Sequence, residues 1–246
     1  FDTVGWITRD SATLQRVVDW CLGFDGSEST DTVFGESSAD LPWRFFVPEE
    51  LVDAAEAPTR EAFERLVAAL AAAGAEVTRG SIGPLDDYLL PFRTVQGAEA
   101  WRNNGEWLRE HPGSVGDAVA ARFRDAAEVT PEQEAAARCE LSRLRGVPQP
   151  LVRDAVLLLP TAPGPAPMRT HSGEHVDAVR LATLRMTTPA AIGGMPALSA
   201  PLLTVRSELG AAPVGVCLIS REGTDIALLR LGRRVEEAVR EKGLRA

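Results

Sequence analysis

Apolar residues recur at helical spacing in some stretches of the chain and in short unbroken runs in others. Leu14, Val17, Val18 and Cys21 fall at i, i+3, i+4 and i+7. This predicts a helix over 11–22, capped by Asp10 or Ser11 and stopped by Gly23. Phe63, Leu66, Val67 and Leu70 make the same stripe for a second helix, with Thr59 as its cap and Gly74 as its end. The stretch from Asp86 to Arg145 reads as mostly helical. Within it, Thr130-Pro131-Glu132-Gln133 supplies an N-cap, a proline at the first helical position and a capping-box partner. Leu228, Leu231, Val235 and Val239 predict a last helix capped by Thr224. Strand-length runs lie at Trp43–Val47, Ala75–Val77, Ala155–Leu159, Ala197–Val205 and Val214–Ile219, the last two separated by a glycine-containing turn. The Gly, Ser, Thr and Asp between Phe24 and Asp40 mark a surface loop. Pro160 to Pro167 cannot be helical, because its prolines remove backbone donors. Helices alternating with short apolar strands imply an α/β fold, a mixed β-sheet core flanked by helices. No internal repeat or heptad pattern is visible.

Composition narrows the function classes. The 246 residues are 45% hydrophobic and 25% charged, ordinary values for a globular protein. No run approaches the roughly 18 apolar residues of a membrane-spanning helix, so no membrane partner is expected. A net charge of −9 argues against a nucleic-acid surface, which needs basic patches. Cys21, Cys139 and Cys217 are odd in number and far apart; each reads as a reduced packing residue of a cytoplasmic protein. Basic residues are nearly all arginine, and Lys242 is the only lysine. That restricts any mechanism that needs a lysine base.

Four segments, in order, resemble the amidase-signature family. They are Phe1-Asp2-Thr3-Val4-Gly5-Trp6-Ile7-Thr8-Arg9-Asp10; Leu157 through Pro167; Thr188 through Pro201; and Pro213 through Ile219 followed by Thr224-Asp225. Together they span nearly the whole chain. Trp6, Arg9-Asp10 and Asn103-Asn104-Gly105-Glu106-Trp107 look most like the plant-type indole-3-acetamide hydrolases and their chloroplast import-receptor relatives. One family position departs: the third segment carries Ala190 or Ala191 where an asparagine is usual, which puts a polar role there in doubt.

The resemblance implies an amide hydrolase in which a lysine activates a serine nucleophile through a second serine. A seryl acyl-enzyme forms and ammonia or an amine leaves. Any activated hydroxyl needs a base within reach and donors aimed at the oxyanion. In the family those groups precede the segment matched at Asp2. The expectation is therefore that residues 1–246 are the C-terminal portion of a single amidase-signature domain, inactive alone, and partnered by the missing N-terminal half. Unpaired strand edges would then leave the isolated chain prone to aggregation. Two other classes stay open: a non-catalytic binding or docking module, and an ammonia-releasing amidotransferase subunit. A homodimer is also open.

Candidate substrate-binding residues are Asp2, Trp6, Pro160, Thr161, Ala162 and Pro163, facing a small amide, aromatic ones included. Asp2 could orient catalytic groups or simply pin the turn at Thr3 to Gly5. The proline run offers a rigid apolar wall with one hydroxyl, or a rigid surface turn. Trp6, Trp101 and Trp107 could shape an aromatic pocket or serve as core anchors. His171-Ser172-Gly173-Glu174-His175 has the spacing of inverted zinc peptidases, but the proline run and Gly173 favour a polar loop, and no metal is expected. Gly80-Ser81-Ile82-Gly83 and Gly113-Ser114-Val115-Gly116 read as plain loops. Gly193-Gly194 and Gly215 lack any phosphate-loop companion and read as close packing in strand turns; no cofactor is expected.

Overall fold

A computed structural model describes residues 4–21 and 40–243. In chain order its elements are α1 (Ser11–Cys21), β1 (Arg44–Pro48), α2 (Glu49–Asp53), α3 (Ala57–Ala72), β2 (Glu76–Gly80), α4 (Leu85–Glu110), α5 (Asp117–Ala127), α6 (Pro131–Arg145) and α7 (Pro148–Asp154). Then follow β3 (Val156–Pro160), α8 (Gly173–Gly193), β4 (Ala197–Ser207), β5 (Gly210–Ile219) and α9 (Asp225–Glu241). The five strands form one mixed sheet in the order β2-β1-β3-β5-β4. β1 runs parallel to β2 and β3, whereas β5 is antiparallel to both β3 and β4. The expected α/β architecture is what the chain adopts.

Strand alternation sends side chains to two faces. On one face Phe45, Val47, Val156, Leu158, Leu203, Val214, Val216 and Leu218 meet the apolar stripes of α3 and α9. On the other, Leu157, Leu159, Cys217 and Ile219 are covered by Leu51 of α2, Val152 of α7, and Met186 and Ala190 of α8. Outside that layer, Tyr88, Phe92 and Val95 of α4 pack on Leu141 and Leu144 of α6 and on Ile192. α1 lies along α9 through Val18, Ile226 and Leu229, and its Ser11 hydroxyl donates to Glu236 at 2.8 Å.

The helix stripes of α3 and α9 form as the spacing predicts, and so do two caps. The Asp10 carboxylate accepts from the Thr13 amide at 2.7 Å, and Thr130 with Gln133 closes a reciprocal capping box. Several expectations fail. Thr59 lies inside α3 rather than before it: the N-cap is Glu56, and the Thr59 hydroxyl is buried without a partner. Thr224 is the N-cap of α9, but its hydroxyl turns back to donate to the Arg221 carbonyl at 2.6 Å and pairs with Ser220 at 2.7 Å. Cys21 and Cys139 are exposed, so only Cys217 is a packing residue; burial pushes its thiol up to about 12. Gly193 closes α8 and Gly194, at φ +64, is its left-handed cap, so neither sits in a strand turn. The predicted surface loop over 24–40, and the stop at Gly23, fall almost entirely outside the described residues.

Candidate active site

The sheet face under α2, α7 and α8 is only half covered. Beyond Leu159 and Cys217 the helices end, and the side chains on that face become small. Register places Ser199 opposite Cys217, and Thr204 opposite Pro213 after an irregularity between Ala200 and Leu203. Ala197, Ser199, Pro201 and Pro213 are exposed, and Gly215 is half-buried. On the opposite face of the same strands, Leu203, Val205, Val214 and Val216 are all buried. Among the described residues, one strip of sheet thus carries no large apolar side chain and no helix.

Thr161, the first residue after β3, closes this strip. Its amide donates to the Gly215 carbonyl at 2.8 Å, extending the ladder one residue past the strand. Its hydroxyl lies 2.7 Å from that of Ser199, a hydrogen bond in which either can donate. Gly215 sits between them. A Cβ there would come within 2.6 Å of both hydroxyl oxygens, so the pair requires glycine at this position. Two hydroxyls in mutual contact at an open surface can orient a bound polar group, because one proton and several lone pairs remain for it.

The proline run is held from the other side by the start of α3. The Glu56 amide donates to the Pro163 carbonyl at 2.7 Å, and its carboxylate lies over Gly164, where any Cβ would be about 2.5 Å from Glu56 Oε2. Pro160 and Pro163 are buried, while Thr161 and Ala162 are half-buried. The Pro163 carbonyl thus ties the proline run to the start of α3. Ser199 and Glu56 belong to this site and the sequence did not single them out, while Gly215, expected to pack closely in a strand turn, does so inside β5. Only the β4–β5–β3 register brings Ser199 and Gly215 to Thr161.

The remaining expected residues go elsewhere. Asp2 lies outside the described residues. Trp6 packs beside Val18, Ile226, Leu229 and Leu198, on the α9 side of the sheet and so away from the Thr161 hydroxyl. Trp107 is exposed and stacks on His111 at 4.7 Å, and Arg109 lies 5.1 Å over Trp101. Of the expected polar loop, His171 precedes a helix and Gly173 to His175 begin it: Ser172 is the N-cap of α8 and accepts from the His175 amide. The two imidazoles meet edge to face at 4.3 Å, with His171 Nε2 3.7 Å from Glu208. Among the described residues, no group of three or more His, Cys, Asp or Glu gathers to hold a metal. The Gly80–Gly83 turn has a structural partner: the Glu50 carboxylate accepts from the Ser81 hydroxyl and from the amides of Ile82 at 3.0 Å and Gly83 at 3.2 Å. Partial burial opposes ionisation of Glu50, yet these donors outweigh it and hold its carboxyl below the usual value.

Comparison with known proteins gives a consistent result. The family model described as Amidase matches residues 1–229. Amidase 1 of Arabidopsis thaliana is 24% identical over 256 residues, covering 94% of this chain and 59% of that protein. A crystal structure of an amidase superposes with a TM-score of 0.76 at 26% identity, over 96% of this chain and 52% of the other. The allophanate hydrolase of Kluyveromyces lactis shares the fold, with a TM-score of 0.72 at 19% identity over 84% of this chain and 34% of that one. The chain thus spans between half and three-fifths of the length of the first two.

Proposed function

Because the chain belongs to the amidase family, we propose that its open strip is one wall of the acyl pocket of an amidase acting on small amides. The observation that carries this is the Thr161–Ser199 hydroxyl pair at 2.7 Å, set over Gly215 on an uncovered sheet face. The flat floor of alanine, glycine and proline admits an apolar acyl group, aromatic ones included. The hydroxyls hydrogen-bond the amide or its flanking polar atoms and so fix the carbonyl for attack.

On this reading the reaction is of the Ser-Ser-Lys type. A serine adds to the amide carbonyl, ammonia or an amine leaves, and water releases the acid from the seryl ester. The chain's own residues bind and orient rather than react. Lys242 cannot serve as the base, since it follows α9 on the opposite face of the sheet from Thr161. Residues 1–246 then form the C-terminal portion of one amidase-signature domain, with the nucleophile and base supplied by the part of the relatives that this chain does not span. A cytoplasmic setting fits the free thiols; among the described residues no helix is long and apolar enough to cross a membrane.

The test compares two polypeptides: the 246-residue chain and a longer one that carries a preceding Gly/Ser-rich segment with a lysine. Ammonia release from indole-3-acetamide and simple aryl amides is expected from the longer one alone. Turnover by the 246-residue chain would overturn the division of labour. A silent longer polypeptide with both serines and the lysine in place would overturn the enzyme reading in favour of a docking module.

A further inference from the structure

A concave feature lies at the other end of the sheet from Thr161. The Thr161 site is beside Gly215, whereas this groove opens where β5 leaves the sheet after Ile219. It has a volume of about 230 Å³ and is lined by Gln149, Val152, Arg153, Gly193, Met195, Arg221 and Glu222. Val152 and Met195 are buried and give it an apolar floor. Gly193 leaves no room for a side chain, because a Cβ there would be 2.5 Å from the Met195 methyl.

The polar lining is unbalanced. Arg153 is exposed and Arg221 half-buried, and neither is among the ion pairs found in the described residues. Glu222, the one carboxylate in the lining, is already engaged by Arg145 at 2.9 Å. That same guanidinium packs over Gly194, 3.3 Å from where a Cβ would stand. Two arginines and one carboxylate, the latter already paired with Arg145, therefore line a small apolar hollow on a chain whose net charge is −9. A local field opposite in sign to the whole molecule attracts a ligand that the rest of the surface repels.

We propose that this groove binds a small organic monocarboxylate with a short apolar body. A guanidinium pairs with a carboxylate in a planar, two-bond geometry, and Arg153 and Arg221 supply two such forks. The floor of Val152, Gly193 and Met195 takes the apolar part. The volume suits a molecule displacing about seven waters. Glu222 places a carboxylate of its own in the lining, which disfavours a second negative charge on the ligand. The proposal is independent of the amidase reading, since no residue of the Thr161 site takes part.

The test uses the purified protein in the longest polypeptide its gene encodes, with benzoate as probe, benzyl alcohol as its neutral, non-amide counterpart and inorganic phosphate as the multivalent anion. Calorimetry should show saturable benzoate binding with a Kd of about 1 mM, at least tenfold weaker binding of phosphate, and none of benzyl alcohol. Arg221→Gln and Arg153→Gln should each weaken benzoate about tenfold while leaving far-ultraviolet circular dichroism unchanged. Absence of saturable benzoate binding overturns the site. Equal binding of phosphate overturns the ligand class and marks a general cationic patch. Benzoate affinity indifferent to both substitutions in folded variants places the ligand elsewhere and also overturns it. Amide turnover does not enter any of these outcomes, so failure here leaves the proposed activity standing.

Discussion

The two halves of the sheet face that carries Cys217 are built on opposite rules. Near Leu157, Leu159, Cys217 and Ile219, large apolar side chains meet helices and water is excluded. A few residues along the same strands, at Ser199, Gly215, Pro201 and Pro213, the side chains are small or hydroxylic and no helix among the described residues covers them. Local strand propensity does not produce this contrast, because Leu203, Val214 and Val216 of the same strands are large and buried on the opposite face. One half is built to be permanently closed. The other is built so that something can approach the backbone closely, as a substrate pocket or a close-packed segment requires.

Substitutions can break this contrast, beginning with the closed side. Leu158 is fully buried against α3 and α9. Leu158→Ala should cost about 3 kcal/mol of unfolding free energy in a urea titration, through lost transfer energy and the residual cavity. Next is Gly215→Ala, whose new methyl group falls 2.6 Å from the Thr161 and Ser199 hydroxyls. Rotating them away breaks their hydrogen bond, so a loss of about 1–2 kcal/mol is expected, together with loss of amide turnover in the active polypeptide. If Gly215→Ala left turnover intact, the open half would not be the pocket wall.

A smaller effect tests how the closed half is sealed. Ile82 belongs to its core, and Glu50 holds the Ser81–Gly83 turn beside it. The lowered Glu50 carboxyl contributes stability that is complete above its unfolded value near 4.5 and is lost as pH falls through the folded value. Glu50→Gln should therefore destabilise by about 1 kcal/mol at neutral pH and lose less further stability than the parent between neutrality and acid. Equal pH slopes in the two proteins would remove Glu50 from the seal. Smallest in stability is Ser199→Ala, an exposed truncation expected to stay within about 0.5 kcal/mol. In the active polypeptide it should nonetheless lower kcat/KM about tenfold, the worth of one hydrogen bond of roughly 1.4 kcal/mol. The split between an unmoved melting curve and a reduced kcat/KM separates a binding role from a structural one.

Much of the closed half was legible in the sequence. The stripe of Phe63, Leu66, Val67 and Leu70 is a helix because its period is helical, and it packs where it should. The Thr130–Gln133 box is a local hydrogen-bond pattern, complete within four residues, and needs no tertiary context. Helix α8 was missed because its first half is largely exposed and carries no continuous apolar stripe, while Thr187, Thr188 and Pro189 weaken any helical signal near its end. Its apolar contacts are concentrated at Met186, Ala190 and Ile192, which only the assembled sheet and α4 can reward. Short elements such as α2 and α7 span too few residues for any period to register.

The candidate site divides in the same way. The proline run marked itself by composition, and Thr161 stood out as its one hydroxyl. Trp6 looked like a pocket residue because an aromatic near a matched motif carries no indication of which face of the sheet it will meet. The sequence by itself determined the family, the alternation of helices and strands, and a rigid loop after β3, because those depend on periodicity, local caps and the fixed dihedrals of proline. The tertiary structure alone decided that Ser199 and Gly215 stand with Thr161, that Trp6 lies across the sheet, and that Arg153 and Arg221 share a hollow. Such pairings are set by strand register and by the packing of elements many residues apart, and neither leaves a local mark on the chain.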